Sequence, residues 1–246
     1  MEGICSKFNL EEEKILHLIF SQIKPNEKND TIFKLLKLDF FNKLELKSDD
    51  KYTRYAKIIE GLINKSWMKI KDEKNNPMRG YVVSASRWNY NEPFFEVELS
   101  RMFMPLLQQL VRDYTKIELD SVLKLKSKHS LTLYKWLCSW TDESKKTNQR
   151  YLTTKELKEL LGLSIDDYVC KGKFNRTDFE RYTIKVAINE ISEKTNLSVQ
   201  FKKNKKGNKI QNYEFTWTKK NIEKPQNTKD KNTPVKIGKR EKNSTK

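Results

Sequence analysis

Histidine and cysteine, the residues that most often build metal and nucleophile sites, are scarce in this chain. It has two histidines and three cysteines among 246 residues. Cys5, Cys138 and Cys170 are widely spaced and form no CxxC pair, which argues against a disulfide framework and against a zinc site. His17 and His129 form no HxH pair, so a DNA-nicking initiator of the rolling-circle kind is disfavoured. Both histidines lie in apolar helical stretches, where we expect packing or capping roles.

Glycine is scarce as well, with seven in the whole chain. Neither GxGxxG nor GxxxxGK[ST] occurs, so the glycine-rich loops that cradle phosphates in nucleotide enzymes are absent. Acidic pairs do occur, at 49–50 and 166–167, but such pairs are common in loops and we do not expect catalysis there. The sequence therefore predicts a protein that is not an enzyme and that needs no cofactor or metal ion.

Long apolar runs are also missing. No segment approaches the ~20 apolar residues that a membrane-spanning helix needs. The first residues include three consecutive glutamates, 11–13, and do not follow the pattern of a signal peptide. We therefore expect a cytoplasmic protein that does not associate with membranes.

Positive charge is what the chain has in excess. The chain has 50 Lys and Arg residues and 33 Asp and Glu residues, which gives a formal net charge of +17. Residues 219–246 carry ten basic and three acidic side chains, which leaves +10 for residues 1–218. That tail is rich in Asn, Lys and Thr without apolar periodicity, and we predict that it is disordered. A basic body predicts attraction to a polyanion through steering and counterion release.

The hydrophobic periodicity predicts the same order of elements twice: helix, helix, strand, turn, strand. In the first half these elements are 10–23, 50–64, 67–71 and 80–86, and in the second half they are 153–163, 176–195, 197–203 and 209–217. This order is that of a winged helix. The predicted fold is thus α+β, with two tandem winged-helix domains at 1–116 and 117–218, followed by the basic tail at 219–246.

The second half has the better-marked DNA-binding features. On a regular helical wheel, one face of 176–195 is apolar (Ile184, Ala187, Ile188, Ile191) and the opposite face is polar (Arg181, Tyr182, Lys185, Asn189). Arg and Asn pair with base edges, whereas Lys and Tyr more often contact phosphates. Five lysines surround the predicted turn at Gly207, where they repel one another unless an anion is near: Lys202, Lys203, Lys205, Lys206 and Lys209. The alternatives are an ordinary solvated helix face and a lysine-rich loop that keeps a strand edge soluble.

The first half gives a weaker version of this pattern. The 50–64 helix is predicted to bury Tyr52, Tyr55, Ile59, Leu62 and Ile63 and to expose Arg54, Lys57, Gly61 and Asn64. The predicted wing of this half, 72–79, is mixed in sign. We expect weaker DNA binding there, or a role in self-association.

Several segments resemble the replication initiator proteins of theta-replicating plasmids, which bind directly repeated origin sequences. They are LKLKSKHSLTLYKWLCSW, YLTTKELKELLGL, FNRTDFERYTIKVAINEISEKTNLSVQF and KKGNKIQNYEFTW. The resemblance is clear over about 93–218. Residues near the family pattern include Ser127, Ser130, Leu133, Tyr134, Phe179, Arg181, Ala187, Glu190, Ile191 and Asn196, and Arg176 belongs to the expected DNA-binding set. Glu180 and Tyr182 stand where the family usually has basic residues, and Thr132 where an arginine is common, so the resemblance does not give the base preference.

The resemblance implies two winged helices, binding to origin repeats as a monomer, and opening of adjacent AT-rich DNA. It also implies recruitment of the host initiator and helicase proteins in a bacterial cytoplasm, in association with the nucleoid or plasmid. A homodimer in equilibrium with the monomer, joined through the first domain, is expected to repress the gene's own promoter. A winged-helix transcriptional regulator without a replication role remains an alternative, as does a protein that binds RNA or acts as a scaffold without sequence choice.

Overall fold

The computed structural model describes residues 8–24, 30–43, 51–71, 75–113, 117–207 and 209–220. The helices and strands of the first half are α1 (Leu10–Phe20), β1 (Ile32–Leu36), α2 (Lys37–Lys43), α3 (Lys51–Lys65), β2 (Trp67–Lys71), β3 (Pro77–Tyr81), β4 (Val83–Trp88), β5 (Phe94–Leu99) and α4 (Met104–Asp113). Those of the second half are α5 (Leu119–Lys124), α6 (Lys128–Ser139), β6 (Asn148–Leu152), α7 (Thr154–Leu160), β7 (Val169–Cys170), β8 (Lys173–Phe174), α8 (176–194), β9 (Leu197–Lys206) and β10 (Lys209–Lys219). Helix α8 consists of three continuous parts, Arg176–Phe179, Glu180–Lys185 and Val186–Lys194.

The N-terminal half packs α1 and α3 against an antiparallel sheet of order β1-β5-β4. Strand β5 lies in the middle of the sheet and alternates buried and half-buried residues, which directs Phe95, Val97 and Leu99 into the core. Helix α3 contributes Tyr55 and Leu62 to the same core. Strands β2 and β3 form a separate hairpin beside this sheet.

The C-terminal half has its own core. Its sheet has the order β6-β10-β9, all antiparallel, and α6 and α8 cover one face of it. Trp217, Tyr213 and Phe215 of the central strand β10 are buried between the sheet and these helices. Two separate apolar cores account for the duplicated order of elements in the sequence.

Most predicted elements are present, although the helices predicted at 10–23 and 153–163 end three residues earlier, at Phe20 and Leu160, and two strands differ in extent. The segment 80–86, predicted as one strand, is divided at Val82, since β3 pairs with β2 whereas β4 pairs with β5. The second hairpin is longer than predicted, because β9 continues through Lys206 and leaves only 207–208 between the strands. Ser48, a residue type that commonly caps helices and that precedes the predicted 50–64 helix, lies outside the described residues, as do the hairpin tip at 72–74 and the tail from 221 onward.

The sequence marks both ends of α7, with a Thr-x-x-Glu capping-box pattern at 153–156 and a glycine at 162 in the position of a left-handed C-cap, and the structure shows both. Thr153 and Glu156 form a capping box at the start of α7, in which each side chain bonds to the other residue's N–H. Gly162, just beyond the end of α7, has φ of +69°, a left-handed conformation that favours glycine.

Two kinds of feature are missing from the described residues. No helix among them is long and apolar enough to cross a bilayer. No group of three or more His, Cys, Asp or Glu side chains in these residues is arranged to hold a metal ion. The two cysteines of the described ranges, Cys138 and Cys170, are free thiols.

Helix α1 joins the two halves through buried polar contacts. The Lys135 ammonium of α6 lies 2.9 Å from a carboxylate oxygen of Glu13, which is 2% exposed. The Lys14 ammonium donates to the Leu123 carbonyl at 2.7 Å. Burial lowers the pKa of His17 to about 3, and the Lys135 charge acts in the same direction, so this histidine is neutral at physiological pH.

These contacts predict the response to Lys135→Met. Burial raises the pKa of the Glu13 carboxyl, although the Lys135 charge opposes that shift. Without Lys135 the carboxylate is buried and unpaired, so the free energy of unfolding should fall by about 3 kcal/mol at neutral pH. Because the folded-state pKa of Glu13 is then raised further, the loss should shrink as the pH falls through that pKa and Glu13 takes up a proton.

Denaturant unfolding at about pH 7 and about pH 5 measures this difference. Lys145→Met is the matched control, because Lys145 pairs with Asp142 at 3.2 Å on the surface and is 66% exposed. The control should change stability by less than about 0.5 kcal/mol. Equal losses for the two variants would show that the Glu13–Lys135 pair does not hold the halves together.

Candidate nucleic-acid interface

Helix α8 is the element that the sequence predicts to read DNA, and its middle is a π-helix at Glu180–Lys185. Its buried positions recur every four residues: Phe179, Glu180, Thr183, Ile184, Ala187, Ile188 and Ile191. A regular α-helix turns 100° per residue, so a four-residue repeat drifts around it by about 40° per step. The wider π turn takes up part of this drift. The whole helix can therefore keep one face against the core.

The opposite face of α8 is exposed, as predicted. Arg181, Tyr182, Lys185 and Asn189 all point outward, and Tyr182 is 55% exposed. The Arg181 guanidinium lies over the Tyr182 ring, 5.4 Å from its centroid. None of these four side chains is paired with an acidic group among the described residues. The face thus presents two cations, a phenol and an amide, with hydrogen-bonding groups available.

The β9–β10 hairpin forms the predicted wing. Gly207 occupies its turn with φ of +61°. The five lysines differ in their surroundings: Lys202 pairs with Glu214 at 2.8 Å and Lys203 pairs with Glu180 at 2.9 Å. Lys205, Lys206 and Lys209 are exposed near the turn. For two of the five lysines the nearby anion is a nearly buried carboxylate of the protein itself, which neutralises each of them.

The Glu214 carboxylate organises the outer face of the C-terminal sheet. Besides Lys202, it accepts hydrogen bonds from the Gln149 and Asn204 amides. Hydrogen bonds from these partners, that of Lys202 foremost, lower the pKa of Glu214. No local sequence pattern indicates this network, because its members come from three strands and become neighbours only through the sheet register.

A second network ties the wing to α8. Glu180, which is 6% exposed, accepts a hydrogen bond from the Tyr213 hydroxyl at 3.1 Å as well as from Lys203. Burial raises the pKa of Tyr213, and the neighbouring Glu180 charge raises it further. Helix and wing are therefore joined by side-chain contacts as well as by the chain.

Arg176, a predicted site residue, is half-buried at the start of α8.

The candidate residues of the first half are differently placed. Lys57 is exposed on α3, but Arg54 is half-buried and forms an ion pair with Glu11 of α1. Gly61, predicted to face outward, lies against the Glu12 side chain of α1. The helix therefore turns part of its predicted outer face toward α1.

Tyr52 is a further correction. It was predicted to be buried, but it is 44% exposed. Its ring lies 5.6 Å from that of Tyr90 and 5.9 Å from that of Trp88, at the mouth of a cleft between α3 and β4. Aromatic contacts, not burial, thus explain an apolar ring at this position.

Glu190 fixes α8 against α6. Its carboxylate accepts the N–H of Lys126 at 2.7 Å and that of Ser127 at 3.1 Å, just before α6 begins. The Lys194 ammonium donates to it at 2.8 Å. Near the other end of the contact, the Tyr134 hydroxyl donates to Asn196 at 2.9 Å. These bonds give a structural role to four residues near the family pattern, namely Ser127, Tyr134, Glu190 and Asn196.

The Glu190 contacts predict a pH-dependent contribution to stability. Burial alone would raise the pKa of this carboxyl, but hydrogen bonds from Lys194 and the Lys126 N–H lower it overall. A lowered folded-state pKa stabilises the fold above the unfolded-state pKa, and this stabilisation is lost as the pH falls through the folded-state value. Glu190→Gln should therefore cost about 2 kcal/mol at neutral pH, and the difference from the wild type should vanish in acid.

Glu193→Gln is the control, since Glu193 is exposed on the same helix. Urea unfolding across the acidic range should give parallel curves for this control and the wild type. A Glu190→Gln curve that is also parallel to the wild type would contradict the role of the ionised carboxylate.

Two family models match the chain. One is described as initiator replication protein, WH1, and matches residues 4–138. The other is described as initiator Rep protein, WH2, and matches residues 153–217. They cover most of the chain and confirm the prediction of two winged-helix domains in an α+β fold.

Solved structures share this fold. The crystal structure of the Pi initiator protein in complex with iteron DNA is 20% identical in sequence, with a TM-score of 0.69 over 90% of this chain and 95% of that one. The structure of domains 2 and 3 of RctB is 13% identical, with a TM-score of 0.52 over 86% of this chain and 82% of that one. No curated protein matches the chain.

Proposed function

This chain belongs to the initiator replication protein family, and on that premise we propose that it starts plasmid replication by binding directly repeated DNA at an origin. The Pi initiator, whose fold it shares, was crystallised with iteron DNA. The observation that carries the proposal is the exposed face of α8 beside a lysine wing, in a chain with a net charge of +17. The activity is binding, with no chemical step catalysed by the protein itself.

In this proposal α8 enters the major groove of duplex DNA. Arg181 and Asn189 are the side chains suited to base edges, since Arg pairs with guanine and Asn with adenine. Lys185 and Tyr182 lie on the same face and supply base or phosphate contacts. Lys205, Lys206 and Lys209 extend beyond the helix on the wing, where exposed ammonium groups reach the phosphate backbone.

The remaining candidate residues have smaller parts. Lys202 and Lys203 are held by carboxylates, and Arg176 is half-buried. These three side chains therefore help to define the shape of the surface but are less available for contacts with DNA. In the first half, Lys57 is exposed, whereas Arg54 is paired with Glu11. We therefore propose that the C-terminal domain provides most of the affinity and base recognition.

These differences lead us to propose a different role for each part of the chain. We assign residues 1–116 to a first domain with auxiliary DNA binding and dimerisation, 117–218 to the main DNA-binding domain, and 219–246 to a basic tail that speeds association. Binding to the repeats promotes opening of adjacent AT-rich DNA and recruits the host initiator and helicase proteins in the bacterial cytoplasm. A homodimer in equilibrium with the monomer represses the gene's own promoter.

Replication in cells tests this proposal. A plasmid whose only origin is the repeat-bearing region beside the gene should be maintained when this protein is supplied in trans. The same plasmid should disappear from the cells without the protein. If the protein binds the repeats in vitro but the plasmid is not maintained, the initiator proposal fails and a winged-helix transcriptional regulator is supported. Equal affinity for the repeats, random duplex and hairpin RNA would instead support a binder without sequence choice.

Substitution of the exposed α8 residues tests how bases are read. Arg181→Ala or Lys185→Ala should reduce the preference for repeat over unrelated duplex by roughly 1–3 kcal/mol for each hydrogen-bonded base that the side chain no longer reaches. Lys145→Ala is the control, because Lys145 lies in the 141–147 loop, at the end of the sheet away from the wing turn. Fluorescence anisotropy at fixed salt measures both affinities. Unchanged preference in both α8 variants would place base recognition elsewhere.

A further inference from the structure

We propose that Glu180 is a positioning residue that sharpens DNA specificity by keeping Lys203 of the wing away from the phosphate backbone. This inference rests on the proposed function, because it concerns how the C-terminal domain holds DNA. It assigns a role to an acidic residue that stands within the DNA-reading helix of a strongly basic protein. Its effect is to fix how many wing lysines are available to phosphates.

The contacts of Glu180 support this role. The side chain is nearly buried, and each carboxylate oxygen has its own partner. Oε2 accepts from the Lys203 ammonium at 2.9 Å, and Oε1 accepts from the Tyr213 hydroxyl at 3.1 Å. Tyr213 is itself fully buried in β10 and is the cross-strand neighbour of Lys203. Tyr213 therefore fixes the position of the Glu180 carboxylate, and the carboxylate in turn holds the Lys203 ammonium.

The π turn gives Glu180 this orientation. It begins at Glu180 and places this residue on the buried side together with Thr183 and Ile184. The next two residues, Arg181 and Tyr182, are exposed. This one helical turn therefore directs the acidic side chain of Glu180 toward the wing and the basic side chain of Arg181 toward solvent. An acidic residue can stand beside Arg181 without repelling a DNA ligand, because its charge is already neutralised.

Lys203 and Lys205 form a natural comparison. Residues two apart in a strand lie on the same face, so both lysines of β9 face the side of α8. Lys203 is paired with Glu180, whereas Lys205 is exposed and has no acidic partner among the described residues. Each phosphate that a protein neutralises strengthens binding to any DNA sequence alike. A released Lys203 would therefore strengthen nonspecific binding and lower the preference for the repeats.

The salt dependence of DNA binding reports on these contacts. Each phosphate neutralised in duplex DNA contributes about 0.9 to the slope of log K against log [salt]. Glu180→Gln keeps the shape of the side chain and an oxygen for Tyr213 but removes the charge that holds Lys203. It should steepen the slope by about 0.9 on a duplex of unrelated sequence. It should also lower the ratio of the affinity for the repeat duplex to the affinity for a duplex of unrelated sequence.

Three further variants make the test specific. Lys203→Gln leaves the Glu180 charge unpaired and should lower the affinity, but it should leave the wild-type slope unchanged, whereas Lys205→Gln, its matched control, should reduce the slope by about 0.9. The double variant Glu180→Gln/Lys203→Gln should return the slope to the wild-type value, because the released lysine is no longer there. Thermal unfolding confirms that each variant is folded.

Each outcome bears on the proposal. If Lys203→Gln reduces the slope as much as Lys205→Gln does, Lys203 already contacts phosphate and the proposal is wrong; this comparison decides even if Glu180→Gln does not fold. A folded Glu180→Gln protein with an unchanged slope also overturns it. The proposed function fails separately, if the wild type shows no preference for the repeat duplex over the unrelated one, and the slopes on unrelated duplex can still be compared in that case.

Discussion

The face of α8 that is buried at every fourth position is the constraint on which the C-terminal domain depends. Residues from Phe179 to Ile191 must stay in contact with β9, β10 and α6 along the whole helix. A uniform α-helix would rotate this face away from the core, and the π turn reduces that rotation. The exposed face follows from the same geometry, so the core packing decides which side chains reach a DNA groove. Glu190 and Asn196 then fix the C-terminal part of the helix and its end against α6.

Net charge and available charge are different quantities in this protein. Its excess of basic residues predicted a polyanion ligand, but some of these residues form ion pairs with carboxylates of the protein itself. Lys202 and Lys203 are paired on the wing, Arg54 is paired on α3, and Lys135 is paired with Glu13 between the halves. The basic side chains left exposed on α8 and the wing all belong to the C-terminal domain. This distribution explains why two domains of similar architecture are proposed to contribute unequally.

Local patterns in the sequence predicted much of this structure. The capping box at Thr153, the left-handed glycines at 162 and 207, and the two faces of α8 depend on residues within a few positions of one another. The π turn was not predicted, because a helical wheel assumes 100° per residue throughout. Tyr52 was misplaced because its ring is held by Trp88 and Tyr90, which are distant in sequence.

The ion pairs of the candidate site could not be predicted for the same reason. Glu180 and Lys203 are 23 residues apart, and only the packing of α8 on the wing brings them together. The sequence therefore identified the candidate residues, but it did not separate the lysines that are available to DNA from those that are held. Family membership supplied the function to be proposed, and the contacts supplied the arrangement of the surface.

Helix α8 and the tip of the wing are proposed, above all, to form one DNA-binding surface. Lysine acetylation with mass-spectrometric readout, with and without a repeat-bearing duplex, tests this most directly. We expect DNA to protect Lys185, Lys205, Lys206 and Lys209, while Lys145 on the far side of the domain stays equally reactive. Protection of Lys145 with undiminished acetylation of Lys185 and the wing-tip lysines would contradict it.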